Sequence, residues 1–101
     1  MKFEITIGKT YLITLEGDDF VCKHVNETHI ISRSTLLSFF MLSEAAALDV
    51  VLSALNSEWM VVAKQPLNRK PPIPVYGDMT EEGCKRWMEN QIGDWELVHN
   101  V

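Results

Sequence analysis

Residues 35 to 55 (TLLSFFMLSEAAALDVVLSAL) form a long apolar run in which Glu44 and Asp49 are the only charged side chains. The run is just long enough to match the roughly 20 residues of a transmembrane helix. However, a charged side chain near the middle of such a helix costs about 2.5 to 3.5 kcal/mol on insertion, and the alanines and serines offset little of that cost. We therefore expect one long helix or two short helices in a soluble fold, with no membrane span.

The first third of the chain has the pattern of short β-strands. Apolar residues occupy every second position of 2–7 (KFEITI) and 11–16 (YLITLE), which is the period of half-buried strands, and Gly8-Lys9 between them indicates a hairpin. Two further strands are predicted at 20–25 (FVCKHV) and 29–32 (HIIS), separated by a turn at Asn26-Glu27. Together these four segments predict an antiparallel meander.

The apolar run itself has helical spacing in its second half, at Leu48, Val51, Leu52 and Leu55. Ser34 is an N-cap candidate, and Ser43 could cap a second helix, so the pattern leaves open one helix or two. The apolar surface is wide for a helix on the surface of a small domain. It therefore belongs either to the core or to an interface, and a homodimer through the helix within 35–56 is one hypothesis.

The second half of the chain predicts two more strands, one on each side of a loop and a helix. The strands are 59–64 (WMVVAK) and 94–99 (DWELVH), and the four prolines of 65–77 (QPLNRKPPIPVYG) predict a loop without regular structure. Asp78 with Glu81 resembles a capping box for the helix that follows. Cys84, Trp87 and Met88 lie on the apolar side of that helix, and Gly93 is predicted to close it.

The fold class that follows is a single α+β domain over residues 1–101. It combines an antiparallel sheet of five or six strands with one long or two short central helices and a C-terminal helix. A composition of 47% hydrophobic and 23% charged residues is typical of globular proteins. Two cysteines are too few for a disulfide framework, and we expect reduced thiols in the cytoplasm.

One cluster of possible metal ligands is visible in the sequence. If Asn26-Glu27 is a two-residue turn, His24 lies opposite His29 on the face that also carries Cys22. A structural zinc site needs four ligands, and Ile31 would lie opposite Cys22, so we predict no metal and no cofactor.

The segment from Lys64 to Tyr76 is the candidate binding site, because basic and aromatic side chains on a long loop are typical of contact surfaces. We predict that Lys64, Arg69, Lys70 and Tyr76 contact a partner. The net charge of −5 argues against a nucleic-acid partner.

The leading hypothesis for function is a non-enzymatic protein-binding module, a small regulator or inhibitor, for example a phage or mobile-element accessory protein. One alternative is nucleic-acid binding through the basic loop 64–70. The other is a small enzyme that uses either Cys84 or the cluster of Cys22, His24 and His29.

Overall fold

The computed structural model describes residues 2–63 and 73–100. The chain divides into two compact units, Met1–Asp49 and Val50–Val101, and each is described by itself. The described residues form two antiparallel sheets, of four and three strands, and three helices. The α+β class is therefore confirmed, whereas the prediction of one sheet with five or six strands is wrong. The prediction of a single domain stays a prediction.

The sheet of the first unit is an antiparallel meander. Its four strands lie in the sheet in the same order as in the sequence. They are β1 (Lys2–Thr6), β2 (Thr10–Glu16), β3 (Asp19–His24) and β4 (Glu27–Ser32). The alternation in the sequence places one set of side chains on a buried face, which includes Tyr11, Ile13, Phe20, Cys22 and Ile31. The predicted meander is thus confirmed.

The apolar run folds as two helices, α1 (Arg33–Phe39) and α2 (Glu44–Leu55). Ser43 caps α2 as predicted, because its hydroxyl oxygen accepts a hydrogen bond from the amide of Ala46 at 3.3 Å. The N-cap of α1 is Ser32, not Ser34. The Ser34 hydroxyl instead donates to the Asp18 carboxylate at 2.7 Å, so it is unavailable to the helix.

No single helix in the described parts of the chain has the length and apolar character needed to cross a membrane. By length and composition alone, α1 and α2 meet these requirements only as a pair that bends by 91° between them.

The predicted apolar side of α2 is buried. Leu48, Val51 and Leu52 have no exposed surface, and Ala47 and Ala54 lie on the same buried side of the helix. This burial confirms the helical period that was read from the second half of the run.

In the second unit, the central strand β5 (Trp59–Ala63) pairs with β6 (Ile73–Asp78) on one side and with β7 (Trp95–His99) on the other. Both pairings are antiparallel, so β6 and β7 run parallel to each other. The helix α3 (Glu81–Glu89) connects them and packs against this sheet. Within its described residues, this unit therefore combines a three-stranded sheet, the crossover helix α3 and the C-terminal half of α2.

Strand β6 was missed because the four prolines of 65–77 predicted a loop. Among the described strands β6 lies at an edge, and the register shifts beside it, so that Val61 pairs with Tyr76 and Val62 with Pro74. Proline is tolerated at an edge or beside a bulge because no ladder hydrogen bond is lost there. Residues 65–72 of the predicted loop lie outside the described residues.

The ends of α3 also differ from the prediction. Thr80, not Asp78, is the N-cap, and its hydroxyl accepts from the amide of Gly83 at 3.1 Å. The helix ends at Glu89 with Asn90 as its C-cap, so Gly93 lies beyond it. Asp78 and Gly93 are residue types that often cap helices, but in α3 the N-cap is Thr80 and the C-cap is Asn90.

Candidate functional site

Of the four predicted partner-binding residues, the structure describes only Tyr76. Lys64, Arg69 and Lys70 fall outside the described residues, and their role stays a prediction. Tyr76 lies on β6, where its ring stacks on Trp87 with the ring centroids 5.3 Å apart. Its hydroxyl donates to Asp78 at 3.0 Å. The ring and the hydroxyl of Tyr76 therefore both have partners within the second unit.

Asp78 connects β6 to the start of α3. Its carboxylate accepts from the amide of Thr80 at 3.0 Å and from the hydroxyl of Tyr76, and these bonds hold its pKa below the ordinary value. The same hydrogen bond to Asp78 raises the pKa of Tyr76. A Cβ at Gly83 would collide with the Asp78 carboxylate. This cluster has a structural explanation, because it fixes where α3 begins.

Cys84 is fully buried on α3. Burial raises the pKa of its thiol, and the nearby Asp78 carboxylate raises it further. A nucleophilic cysteine needs a lowered pKa and access to substrate. The surroundings of Cys84 therefore suit a small core residue.

The predicted pairing of His24 with His29 is wrong. The two-residue turn is Val25-Asn26, so His24 pairs with Glu27 and His29 lies opposite Cys22. Glu27 is the first residue of β4, and the side chains of Lys9 and Tyr11 each donate to its carboxylate at 3.0 Å. These bonds cross from β2 and its turn to β4, and the sequence pattern gave no sign of them.

Although the register differs, the two histidines still share one face. The rings of His24 and His29 both lie near Tyr11, with centroids 5.8 and 6.0 Å from that ring. The Nε2 atom of His29 is buried, lacks a hydrogen-bond partner and lies 3.6 Å from the Glu27 carboxylate. We call this group the polar cluster. It lies at one end of the sheet, beside Cys22, and comprises Lys9, Tyr11, His24, Glu27 and His29.

Charge in this cluster is already balanced. The hydrogen bond from Lys9, followed by that from Tyr11, lowers the pKa of Glu27, and the bond to Glu27 raises the pKa of Lys9. Because the pKa of Glu27 is depressed in the folded chain, its contribution to stability is present above its ordinary pKa. That contribution is lost as the pH falls through the folded value.

Neither metal binding nor thiol chemistry is indicated in the polar cluster. Burial raises the pKa of Cys22 to about 11, so this thiol stays protonated at neutral pH. Within residues 2–63 and 73–100, no three His, Cys, Asp or Glu side chains converge in a way that could hold a metal ion.

The first unit also exposes a set of large apolar side chains where α1 ends and the chain turns toward α2. We call this set the 37–42 patch, and it comprises Leu37, Phe39, Met41 and Leu42. Met41 is fully exposed, and the others keep about two-fifths to one-half of their surface in contact with solvent. All four are large apolar side chains exposed within six consecutive residues, which is more than the isolated exposed apolar residue that needs no explanation.

The 37–42 patch carries no charge of its own. Residues 34–43 contain no charged side chain, and Arg33 and Glu44 on either side of this segment form an ion pair with each other. Such an uncharged, partly aromatic surface with an exposed methionine has the composition of the centre of a protein interface. The patch is the candidate functional site.

The hypothesis of a homodimer through the helix within 35–56 rested on the width of its apolar surface, and it stays a prediction. Leu48 and Val51 of that surface are buried, whereas the exposed apolar residues lie before α2. The informative signal was the run SFFML, in which consecutive apolar residues follow no helical period. A helix buries one side only, so a continuous apolar run that ends a short helix leaves some of its members exposed.

Comparisons with protein-family models, with curated proteins and with solved structures found no match for this chain.

Proposed function

We propose that this protein is a non-enzymatic protein-binding module that acts through the 37–42 patch. The observation that carries the proposal is the exposure of Leu37, Phe39, Met41 and Leu42 in a segment without charge. Burial of such side chains against a partner stabilises a complex by roughly 25 cal/mol per Å² before the costs of association. A small regulator or inhibitor of another protein is the form of this function that we favour, in a cytoplasmic setting that suits the two free, buried cysteines.

A membrane surface would also accept apolar side chains, but the charges near the patch do not favour one. Binding to anionic lipid is strengthened by lysine and arginine around the apolar residues. Here Arg33 is paired with Glu44, and Asp18 lies at the start of α1, where it binds Ser34. A protein partner is therefore the better match.

The proposal is tested by photo-crosslinking in cells that contain the natural partners. A photoreactive phenylalanine analogue replaces Met41 in one variant and Ile92 in another. Both residues are fully exposed, but Ile92 lies outside the patch. We expect discrete crosslinked species at position 41 that are absent at position 92.

A second change shows whether the crosslinks depend on the patch. Adding Leu42→Glu to the Met41 crosslinking variant should abolish the adducts, because a charge placed in an apolar interface is costly to desolvate. Equal adducts at positions 41 and 92, or adducts that persist with Leu42→Glu, would refute the proposed function.

The basic segment 64–70 remains a separate proposal for a contact with an acidic partner or a nucleic acid, and Tyr76 stays part of it as a predicted residue. A triple change of Lys64, Arg69 and Lys70 to serine tests it by the salt dependence of binding, which falls if these charges bind phosphates or carboxylates.

A further inference from the structure

We propose that Glu27 is an acid-sensitive switch, whose carboxylate holds the start of β4 in place and releases it on gaining a proton. The segment released comprises the turn at Val25-Asn26 and the first residues of β4. Every group involved belongs to the polar cluster, so the 37–42 patch has no part in this switch.

One carboxylate, that of Glu27, joins separate parts of the sheet. Lys9, in the turn after β1, and Tyr11, on β2, each donate to its Oε2 atom at 3.0 Å, so these bonds reach across β3. Its Oε1 atom lies 3.6 Å from the buried Nε2 of His29, which has no hydrogen-bond partner among the described residues. The side chain of Glu27 therefore fastens the first residue of β4 to β2.

The charges of the polar cluster make this fastening depend on pH. Glu27 supplies its one carboxylate, whereas Lys9, His24 and His29 are basic side chains. Histidine gains a proton as the pH falls below neutrality. At acid pH three cations therefore lie around one carboxylate. Once that carboxylate is protonated, the bond from Lys9 is no longer between opposite charges, and the three cations repel one another.

The elements next to the polar cluster leave this balance of charges unchanged. Strand β1 places the apolar Ile5 on the same face. The thiol of Cys22, opposite His29, has a pKa of about 11 and stays uncharged. Helix α1, which packs on β4, carries Arg33, and this side chain is paired with Glu44.

The pKa of Glu27 gives the pH range of the switch. It lies below the ordinary value of 4.5, chiefly because Lys9 and then Tyr11 donate to the carboxylate. A carboxylate with a depressed pKa stabilises the folded state above its ordinary pKa, and this contribution is lost as the pH falls through the folded value. We therefore expect the start of β4 to open below about pH 4.5.

The turn before Glu27 has little local stability to oppose the opening. Val25 has a φ of 49°, a left-handed conformation that is strained for a β-branched residue. Its side chain is 88% exposed, so packing offsets little of that strain. Loss of the bonds to Glu27 therefore acts on an end of the hairpin that local structure does not favour.

The two cysteines of the chain report the opening, because both are fully buried and they lie in different units. Cys22 is opposite His29, so withdrawal of the start of β4 uncovers it, whereas Cys84 lies on α3. The full chain is treated with a dithiodipyridine, which forms a mixed disulfide with an accessible thiol and releases thiopyridone, from about pH 7 to about pH 3. Peptide mass spectrometry gives the labelled fraction of each cysteine, and circular dichroism follows the fold.

Below about pH 4.5 we expect Cys22 to be labelled severalfold faster than Cys84 while the circular dichroism signal is retained, whereas both are protected at neutral pH. Glu27→Gln keeps the shape of the side chain and removes its charge. In this variant the faster labelling of Cys22 should be present already at neutral pH and change little with acid. The matched control is Glu4→Gln, an exposed carboxylate on the other face of the sheet, which should behave as the natural chain does.

Two results would overturn the proposal. The first is a natural chain in which Cys22 and Cys84 are labelled with the same pH dependence, or in which neither is labelled. The second is a Glu27→Gln variant in which Cys22 responds to pH as it does in the natural chain. The pH series of the natural chain needs no substitution, so it decides the matter even where Glu27→Gln does not fold.

Discussion

The two halves of the apolar run 35–55 differ in what surrounds them, although their compositions are similar. In α2, the side chains of Leu48, Val51 and Leu52 are completely buried. Around the end of α1, Leu42 keeps 48% of its surface exposed and Met41 is exposed entirely. Apolar content therefore does not determine burial. A period of 3.6 residues gathers the apolar residues of α2 on one side, and SFFML has no such period.

The largest expected effect comes from placing a charge in each half. Leu52→Glu should lower the free energy of unfolding by about 4 kcal/mol or more, because an unpaired carboxylate would be buried. Leu42→Glu, the matched change at a half-exposed leucine, should stay within about 0.5 kcal/mol at low protein concentration. Urea denaturation followed by circular dichroism measures both. The contrast between the halves fails if the two variants lose similar stability.

A second substitution tests the packing of β6 against the C-terminal end of α2, which is the buried half of the run. A Cβ at Gly77 on β6 would lie 2.7 Å from the Cα of Ala54 and closer still to the Ser57 side chain. Since backbone cannot move aside as a side chain can, Gly77→Ala should cost about 1 to 3 kcal/mol. Thermal melts give the value.

The double variant Ser57→Ala with Gly77→Ala is the control for this change. It removes the contact with the Ser57 hydroxyl oxygen and leaves the contacts with the Ala54 Cα and the Ser57 Cβ, so it should recover little of the loss. Full recovery would mean that the Ser57 hydroxyl alone caused the clash and that β6 does not restrict the end of α2.

A third, smaller effect concerns the C-terminal end of α2. The Asn100 side-chain amide lies within reach of the carbonyl oxygens of Ala54, Leu55 and Ser57, at 3.1 to 3.3 Å. The helix ends at Leu55, and although the Ala54 carbonyl also accepts from the amide of Ser57 at 3.1 Å, the Asn100 amide supplies a donor to this end of the helix. Asn100→Ala should therefore cost about 1 to 2 kcal/mol.

Asn100→Asp is the matched control, because it keeps the shape and replaces the donor by an acceptor that faces the same carbonyls. It should cost at least as much as Asn100→Ala in urea denaturation. If both variants are as stable as the natural chain, the buried half does not depend on this cap.

The smallest effect is expected at the junction of the two halves. Arg33 at the start of α1 forms an ion pair with Glu44 at the start of α2, and both side chains are partly exposed. Exposed ion pairs contribute little, so Arg33→Gln should cost less than about 1 kcal/mol. A double-mutant cycle with Glu44→Gln measures the coupling. A coupling above about 2 kcal/mol would show that the charge pair, and not the packing of α2, fixes where the run breaks.

Residue patterns predicted some features of this protein and missed others for identifiable reasons. The strand meander and the buried side of α2 followed from periods of 2 and 3.6 residues, because a local period depends only on the backbone geometry of one segment. Strand β6 was missed because proline prevents regular structure in most places, and only its edge position beside a bulge made Pro74 acceptable.

The candidate sites divide in the same way. The sequence indicated that Cys22, His24 and His29 share a face. The predicted register between their strands was wrong, because the turn lies at Val25-Asn26, one residue before the predicted turn. The observed turn contains Val25, a β-branched residue with a positive φ of 49°, and it is followed by Glu27, which is bonded to Lys9 and Tyr11. Such bonds join residues far apart in the chain, so no local pattern reports them.

The sequence by itself therefore determined which segments other than β6 are strands or helices, that the first four strands form a meander, and which sides of most elements are apolar. Tertiary structure alone decided the register around residues 24–29, that the strands form two sheets, how β5, β6 and β7 pair, and which apolar residues of 35–55 stay in solvent. The physical reason is that period and propensity are properties of neighbouring residues. Pairing and burial depend on contacts between distant residues, whose free energies the local sequence does not encode.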